Sequence, residues 1–389
     1  MSRRPSGRIP ALPTGDFQEP RPKITRGRAP AMLPPTFLKR LASNCQVAAA
    51  AQAGGYSLCG ALLRLRQLYK WEHRLPAWRE PEPAAVLEWI EAREQVWDTL
   101  EGAAWQSLPL GRRRFQPLAV AALNRRLIPL GFAYGAGLSR GQTPTCFLGE
   151  LQEVRRHGDL TILLLGRELA RDLDGAPALR QGPWIYVRRQ AWEYYLWDRL
   201  SDPVQQHKPF LQVALGAYGL ELASLLRDPA AHWPGFEAFL AGELEPVIRH
   251  EVGEALEPSL GPAFAVLLEL APHSRLELWL RTLKDALAEV NEWGRLAYLI
   301  EERRLASLAL LLALRPPLYA PLMPELEPAF RRLCDSGDWG PLAAAREQIL
   351  GRLRGVAGDL RDLLDRSESA SGDWLQAEIG RRYLAPLGL

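Results

Sequence analysis

Apolar residues recur at every third or fourth position over most of the chain, which is the period of an α-helix with one buried face. The segment from residue 57 to 74 is representative, because Leu58, Leu62, Leu65 and Tyr69 keep this spacing. Beyond residue 190 the period continues and is interrupted mainly at prolines, at positions 203, 229, 258, 272 and 316–317. The pattern therefore predicts a mainly α fold, an irregular multi-helix bundle or array.

The segment from Gly141 to Arg189 departs from this period. Its runs TILLLG (161–166) and WIYVRR (184–189) are rich in β-branched and aromatic residues and are bounded by Gly and Pro, as strands are. We expect a small β-hairpin near residues 145–190, with a turn at His157-Gly158; the alternative is that this segment is also helical. The glycine-rich run GFAYGAG (131–137) lacks the Lys of a phosphate-binding loop and is interpreted as a close-approach turn.

Charge separates the N-terminus from the remainder of the chain. Residues 1–30 contain seven basic and two acidic residues, a difference of +5, whereas the whole chain carries +3. Residues 1–35 are also rich in Pro and Gly, a composition that cannot bury enough apolar surface to order itself. The sequence thus predicts a disordered basic N-terminal tail at 1–35 and a nearly neutral helical body at 36–389. A boundary between two lobes is placed near 190–204.

The composition and the cysteine spacing argue against several classes of protein. The apolar content of 47% and the charged content of 24% are typical of globular chains. The four cysteines lack the spacings of zinc fingers and iron–sulfur sites: Cys45, Cys59, Cys146 and Cys334. No run approaches the ~18 apolar residues of a membrane span, and the N-terminus lacks the apolar core of a secretory signal. We expect a soluble cytoplasmic protein without a membrane span and, given its neutral body, without a nucleic-acid partner.

One helical segment carries candidate chemistry. In EPVIRHEVGEALE (245–257), His250 and Glu254 are four residues apart and so share a helical face, with Glu251 adjacent. The start resembles the zinc-binding pattern HExxH, in which the Glu acts as the base, but position 254 is Glu instead of His. Imidazole and carboxylate are ordinary ligands of zinc, iron and manganese. The segment predicts a divalent metal at His250 and Glu254, with Glu251 catalytic, if another helix supplies further ligands.

A second helical segment, at 274–290, could supply them. Glu277, Arg281, Asp285 and Glu289 step by four and form one polar stripe. If the stripe is buried against the first segment, Glu277 and Asp285 complete the metal site. If it is not, the stripe is a ladder of ion pairs on the helix surface. The fixed charge of Arg281 opposes a metal and would instead make this residue the centre of a structural polar network.

Several blocks resemble a family of conserved hypothetical bacterial proteins: SLCGALLRLRQLYKWE, GFAYGAG, GRELARDL, VIRHEVGEAL and RTLKDALAEV. The resemblance covers roughly residues 55–345 and implies no activity, because that family has no assigned function. Two functions therefore stay open. The first is an accessory or protein-interaction protein with an unknown protein partner. The alternative is a metal-dependent enzyme, a hydrolase or oxidase, built on His250 and the neighbouring carboxylates.

Overall fold

The computed structural model describes residues 32–139, 143–206, 209–270, 272, 274–367 and 372–388. Most of the predicted tail lies outside these residues. Within its last part, the side chain of Leu33 is buried beside Phe37 and Leu41. The fold is mostly α, as the periodicity predicts, but it contains a substantial β part in place of the small hairpin expected near 145–190.

The N-terminal half combines four helices with two sheets. Its helices are α1 (Pro35–Ala53), α2 (Leu58–Glu72), α3 (Pro83–Asp98) and α4 (Val120–Leu127). Its strands are β1 (Leu108–Leu110), β2 (Arg113–Phe115), β3 (Phe132–Ser139), β4 (Thr143–His157), β5 (Leu160–Arg171), β6 (Ala178–Gln181) and β7 (Trp184–Arg188). Strands β1 and β2 form a hairpin of their own, and the other five form one sheet in the order β3-β4-β5-β7-β6.

The larger sheet explains why the sequence understated its β content. The β4–β5 hairpin turns at Gly158, as expected, and β7 joins β5 in parallel. The glycine-rich run at 131–137, expected to be a turn, is instead part of β3 and pairs with β4. Small residues are needed there: a β-carbon on Gly135 would lie 2.2 Å from Cζ of Phe147. A strand made largely of glycine and alanine has no alternating apolar pattern, so β3 is difficult to recognise from the sequence.

The C-terminal half is helical throughout its described residues. Its helices are α5 (Arg189–Ser201), α6 (Pro203–Gln206), α7 (Pro209–Gly216), α8 (Leu222–Arg227), α9 (Pro229–Gly242), α10 (Leu244–Leu256), α11 (Ala263–Leu270), α12 (Arg275–Val290), α13 (Arg295–Glu301), α14 (Leu305–Leu314), α15 (Tyr319–Leu322), α16 (Leu326–Ser336), α17 (Gly340–Ser367) and α18 (Gly372–Ile379). None of the described helices is long and apolar enough to cross a membrane.

The helical half has one large apolar core, to which α12 contributes Leu276, Leu280, Leu283 and Leu287. A separate apolar cluster joins this half to the sheet, because Ile248 and Val252 of α10 pack with Ile162, Ile185 and Val187. Helix α10 therefore lies between the sheet and the helical core, in contact with β6, β7, α12 and α13. This position brings the candidate residues of α10 to the boundary between the two halves.

Candidate functional site

The sequence of α10 divides its surface into an apolar and a polar face. Ile248 and Val252, four residues apart, face the sheet. His250 and Glu254 have the same spacing two residues further along, so they lie on a different face. On that face they meet α12. The predicted metal site needs this contact, because its further ligands must come from a second helix.

A close approach of the two helices makes this meeting possible. A β-carbon on Gly253 would lie only 2.3 Å from the main-chain oxygen of Ala288 in α12. At the end of α12, Asn291 donates a hydrogen bond of 2.8 Å from Nδ2 to the main-chain oxygen of Gly253. The glycine therefore sets the distance between α10 and the last turns of α12.

Three of the predicted ligands converge. His250, Glu254 and Asp285 each place a potential ligand atom within 4.8 Å of those of the other two. We call these three residues the polar cluster. All three side chains are partly buried, so they are shielded from bulk water without being sealed from it.

His250 is also held by an acidic residue of the same stripe on α12. Its Nδ1 lies 3.1 Å from a carboxylate oxygen of Glu289, and Arg295 contacts both oxygens of that carboxylate, with Nε at 2.7 Å. Burial disfavours the charged imidazole, but the attraction of Glu289 outweighs it and raises the pKa of His250 to about 9. Burial likewise opposes ionisation of Glu289, yet Arg295 and His250 lower its pKa to about 2.

The carboxylates of the polar cluster differ in their surroundings. Nζ of Lys284 lies 2.5 Å from Glu254, and this ammonium outweighs burial and lowers the pKa of Glu254. Asp285 has no such partner among the described residues, and burial raises its pKa despite the nearby His250. An isolated cation placed between them would gain most from Asp285, whose charge is the least neutralised.

Glu251 is the most unusual carboxyl group of this region. Its side chain is only 8% exposed and makes no hydrogen bond or ion pair with a residue that the structure describes. Burial, reinforced by Glu254 and Asp285 and opposed by His250, raises its pKa to about 7. A buried carboxyl group with a pKa near neutrality can exchange a proton under ordinary conditions, as a general acid or base must.

Glu251 lines a cavity of about 320 Å³ at the boundary between the sheet and the helices. We call it the polar cavity. On the side of α10 and α12, the polar residues of its wall are His250, Glu251, Asp285 and Glu289. Other parts of the wall come from residues 176–178, at the start of β6, from side chains of α2 and α5, and from α14 and the segment that follows it. A volume of this size suits a small-molecule ligand.

The remaining predicted residues lie apart from the polar cluster. Glu277 stands two helical turns before Asp285 and pairs with Arg281 at 2.8 Å, in the i,i+4 geometry of a helix-surface ion pair. No ion pair joins Arg281 to Asp285 within the described part of the chain. The centre of a buried ion-pair network is instead Glu289 with Arg295 and His250. In the sequence, Glu289 is recognisable only as a member of the polar stripe, and neither Arg295 nor Lys284 belongs to a pattern that predicts a site.

Comparison with known proteins places both halves in one family. Residues 36–188 match the N-terminal domain of a "Family of unknown function (DUF6866)", and residues 193–382 match its C-terminal domain. The chain belongs to this family. The match confirms the resemblance to conserved hypothetical proteins without an assigned activity. No curated protein and no solved structure matches the chain.

The two matched ranges leave residues 189–192 between them, at the edge of the expected lobe boundary. The division of the body into lobes stays a prediction. The polar cluster falls wholly within the C-terminal match, whereas the wall of the polar cavity includes residues from both matched ranges, such as Ala176 and His250.

Proposed function

We propose that this protein is a metal-dependent enzyme that binds a divalent cation at His250, Glu254 and Asp285. The observation that carries the proposal is the convergence of these three side chains from two helices, two of which, His250 and Asp285, line a cavity together with Glu251. One imidazole and two carboxylates form a ligand set suited to zinc, iron or manganese. The predicted ligand Glu277 is not included, because it pairs with Arg281 two turns away.

The contacts of His250 support this assignment. Metal-binding imidazoles commonly give their second ring N–H to a carboxylate, which fixes the ring and increases its basicity. Nδ1 of His250 lies 3.1 Å from a carboxylate oxygen of Glu289, at ion-pair distance, and we therefore assign Nε2 to the cation. Glu289 is held in turn by Arg295 and acts as a positioning residue.

In the absence of a cation, two protein charges balance the carboxylates. These are the imidazolium of His250 and the ammonium of Lys284, which lies on Glu254. A divalent cation would replace the imidazolium proton and displace Lys284. Metal affinity should therefore increase as the pH rises toward about 9, the pKa of His250 in the folded protein.

Glu251 favours a hydrolase over an oxidase. A bound divalent cation lowers the pKa of its water ligand, and hydrolysis then requires a group that accepts the proton of that water. Glu251 has a pKa of about 7 and lines the same cavity as His250 and Asp285. We assign it the role of general base, as its position beside His250 in the sequence suggested.

Metal analysis with matched variants tests the proposal. Purified protein reconstituted separately with Mn²⁺, Zn²⁺ or Fe²⁺ is desalted, and its metal content is measured by mass spectrometry. We expect about one metal per wild-type chain, a loss of that metal in His250→Ala and its retention in Arg281→Ala. Equal metal content in the two variants, or none in the wild type, would refute the proposed site.

The second candidate function is the accessory or protein-interaction protein. The observation that favours it is the exposure of Leu58 and Leu62, which share a face of α2 and are 77% and 44% exposed. Comparing Leu58→Glu/Leu62→Glu with the wild type by light scattering and by cross-linking in whole cells tests it. A partner lost only from the double variant supports this function, and an identical pattern in both proteins rejects it.

A further inference from the structure

Part of the wall of the polar cavity is positively charged. Arg64 of α2 and Arg199 of α5 both line the cavity, and neither forms an ion pair with a carboxylate that the structure describes. The other two arginines of the wall are paired, Arg295 with Glu289 and Arg315 with Glu327. Arg64 and Arg199 thus leave two positive charges uncompensated at a partly enclosed surface.

The guanidinium group of Arg64 is also crowded by a second one. Nη1 of Arg64 and Nη2 of Arg171 each lie 2.7 Å from the point that a β-carbon on Gly175 would occupy. Gly175 directly precedes Ala176, which lines the cavity. Like charges this close repel each other, and the buried Arg171, which pairs with Glu168 at 3.4 Å, also has Arg188 and Asp172 near it. Such crowding is stabilised when an anion lies between or beside the two groups.

Hydrogen-bond donors without acceptors accompany these charges. Nη1 of Arg64 reaches only Oε1 of Gln67, at 3.4 Å, and Nη2 of Arg199 reaches only the main-chain oxygen of Leu314, at 3.4 Å. Nε of Arg199 and Nε1 of Trp192 are buried without any acceptor among the described residues. Trp192 also lines the cavity and is only 6% exposed. Unsatisfied buried donors are rare in native proteins, and the oxygens of a bound anion would supply the missing acceptors here.

We infer that the polar cavity binds a small organic anion, whose carboxylate or phosphate oxygens are held by Arg64 and Arg199 beside Trp192. This inference rests on the proposed function in one respect, since the anion is then the substrate of the metal-dependent reaction. The arginine side binds and orients the anionic group. The acidic side, with Glu251, His250 and Asp285, receives the bond that reacts. Guanidinium groups suit this task because they form charge-assisted, often bidentate hydrogen bonds with such oxygens.

Binding of two probe anions tests the inference. The full chain, freed of metals on a chelating resin, is titrated with inorganic phosphate and separately with malonate by calorimetry at low salt. We expect one of the two to bind, and we expect Arg64→Gln and Arg199→Gln each to weaken that binding by at least about tenfold. The control is Arg227→Gln, because Arg227 is exposed in α8, outside the cavity, and should leave the affinity unchanged.

The design separates this inference from the metal site. His250→Ala should lose Mn²⁺ and still bind the anion, whereas the two arginine variants should bind Mn²⁺ and lose the anion. A wild-type protein that binds Mn²⁺ but neither probe overturns the inference and leaves the metal site standing. A wild-type protein that binds a probe anion but no Mn²⁺ refutes the metal site and leaves the anion site standing. Anion binding that survives in Arg64→Gln and Arg199→Gln also overturns the inference.

Folding of the variants is checked by circular dichroism and thermal unfolding. Neither arginine has a carboxylate partner, so neither substitution leaves a buried charge unpaired. If a glutamine variant fails to fold, Arg64→Lys and Arg199→Lys take its place. Lysine keeps the charge but loses the bidentate geometry, so these variants should bind the probe more weakly than the wild type. Equal affinity in the lysine variants and the wild type would contradict the inferred role of the two guanidinium groups.

Discussion

Replacement of Gly253 by alanine should disturb the candidate site without touching any of its functional groups. The new β-carbon would lie 2.3 Å from the main-chain oxygen of Ala288, where ordinary contacts begin at 3.4 Å. Helix α10 must therefore move by about 1 Å relative to α12. His250 and Glu254 belong to the moving helix, and Asp285 to the other, so the shift directly changes the distances within the polar cluster.

Three contributions set the magnitude of the effect on stability. Overpacking of a close helix contact costs about 1–3 kcal/mol. Weakening of the 2.8 Å hydrogen bond from Asn291 to Gly253 costs a further ~0.5–1.5 kcal/mol. Alanine is favoured over glycine within a helix by about 1 kcal/mol, which partly offsets these losses. We expect the free energy of unfolding to decrease by about 0.5–3.5 kcal/mol.

Urea unfolding of Gly253→Ala and of a matched control measures this difference. The control is Gly351→Ala, because Gly351 also lies within a helix, α17, but is exposed and would place its β-carbon at least 4 Å from neighbouring side chains and other elements. Gly351→Ala should be more stable than the wild type by about 0.5–1 kcal/mol. If Gly253→Ala were as stable as this control and bound Mn²⁺ as tightly as the wild type, the contact would not set the geometry of the site.

Three further predictions follow from the charges of the site. The pKa of His250 is raised from 6.5 to about 9. Its contribution to the free energy of unfolding is therefore fully present below pH ~6.5 and is lost as the pH rises through 9. Urea unfolding should thus show a loss of up to about 3 kcal/mol over this range in the metal-free wild type, and a much smaller one in His250→Gln. The pKa of Glu251 is raised to about 7, which favours its neutral form; the wild type should lose stability between pH 4.5 and 7, whereas Glu251→Gln should change little. Arg295→Ala should destabilise the protein by about 1.5–3 kcal/mol, because it removes the two-pronged contact to the buried Glu289 and leaves it paired with His250 alone, and Arg281→Ala by at most about 0.5 kcal/mol; equal losses in thermal unfolding would contradict the assigned burial.

The helical half of the fold could be predicted because its apolar residues keep one period over long segments. The Leu276, Leu280, Leu283 and Leu287 series of α12 is an example, and all four side chains are buried in the main core. The sheet could be predicted only in part. Strands β5 and β7 have β-branched and aromatic runs, but β3 consists mainly of small residues whose packing depends on Phe147 from the neighbouring strand.

The candidate site could be predicted to the extent that spacing within one helix determines it. A separation of four residues is enough to place His250 and Glu254 on one face of α10. The same separation places Asp285 and Glu289 on one face of α12. Which turn of α12 meets α10 depends on Gly253 and Asn291, and no spacing within a single helix contains that information. For this reason the sequence could not distinguish Glu277, which meets Arg281, from Asp285, which meets His250.

The central claim is that a divalent cation binds between α10 and α12, and a crystal soaked in Mn²⁺ tests it most directly. Anomalous diffraction should then place one peak at ~2.0–2.3 Å from a ring nitrogen of His250 and from carboxylate oxygens of Glu254 and Asp285. Lys284 should have moved away from Glu254, and Glu289 should still contact His250. A map without a peak at this position, with Lys284 still on Glu254 in protein soaked above pH 8, would contradict the account.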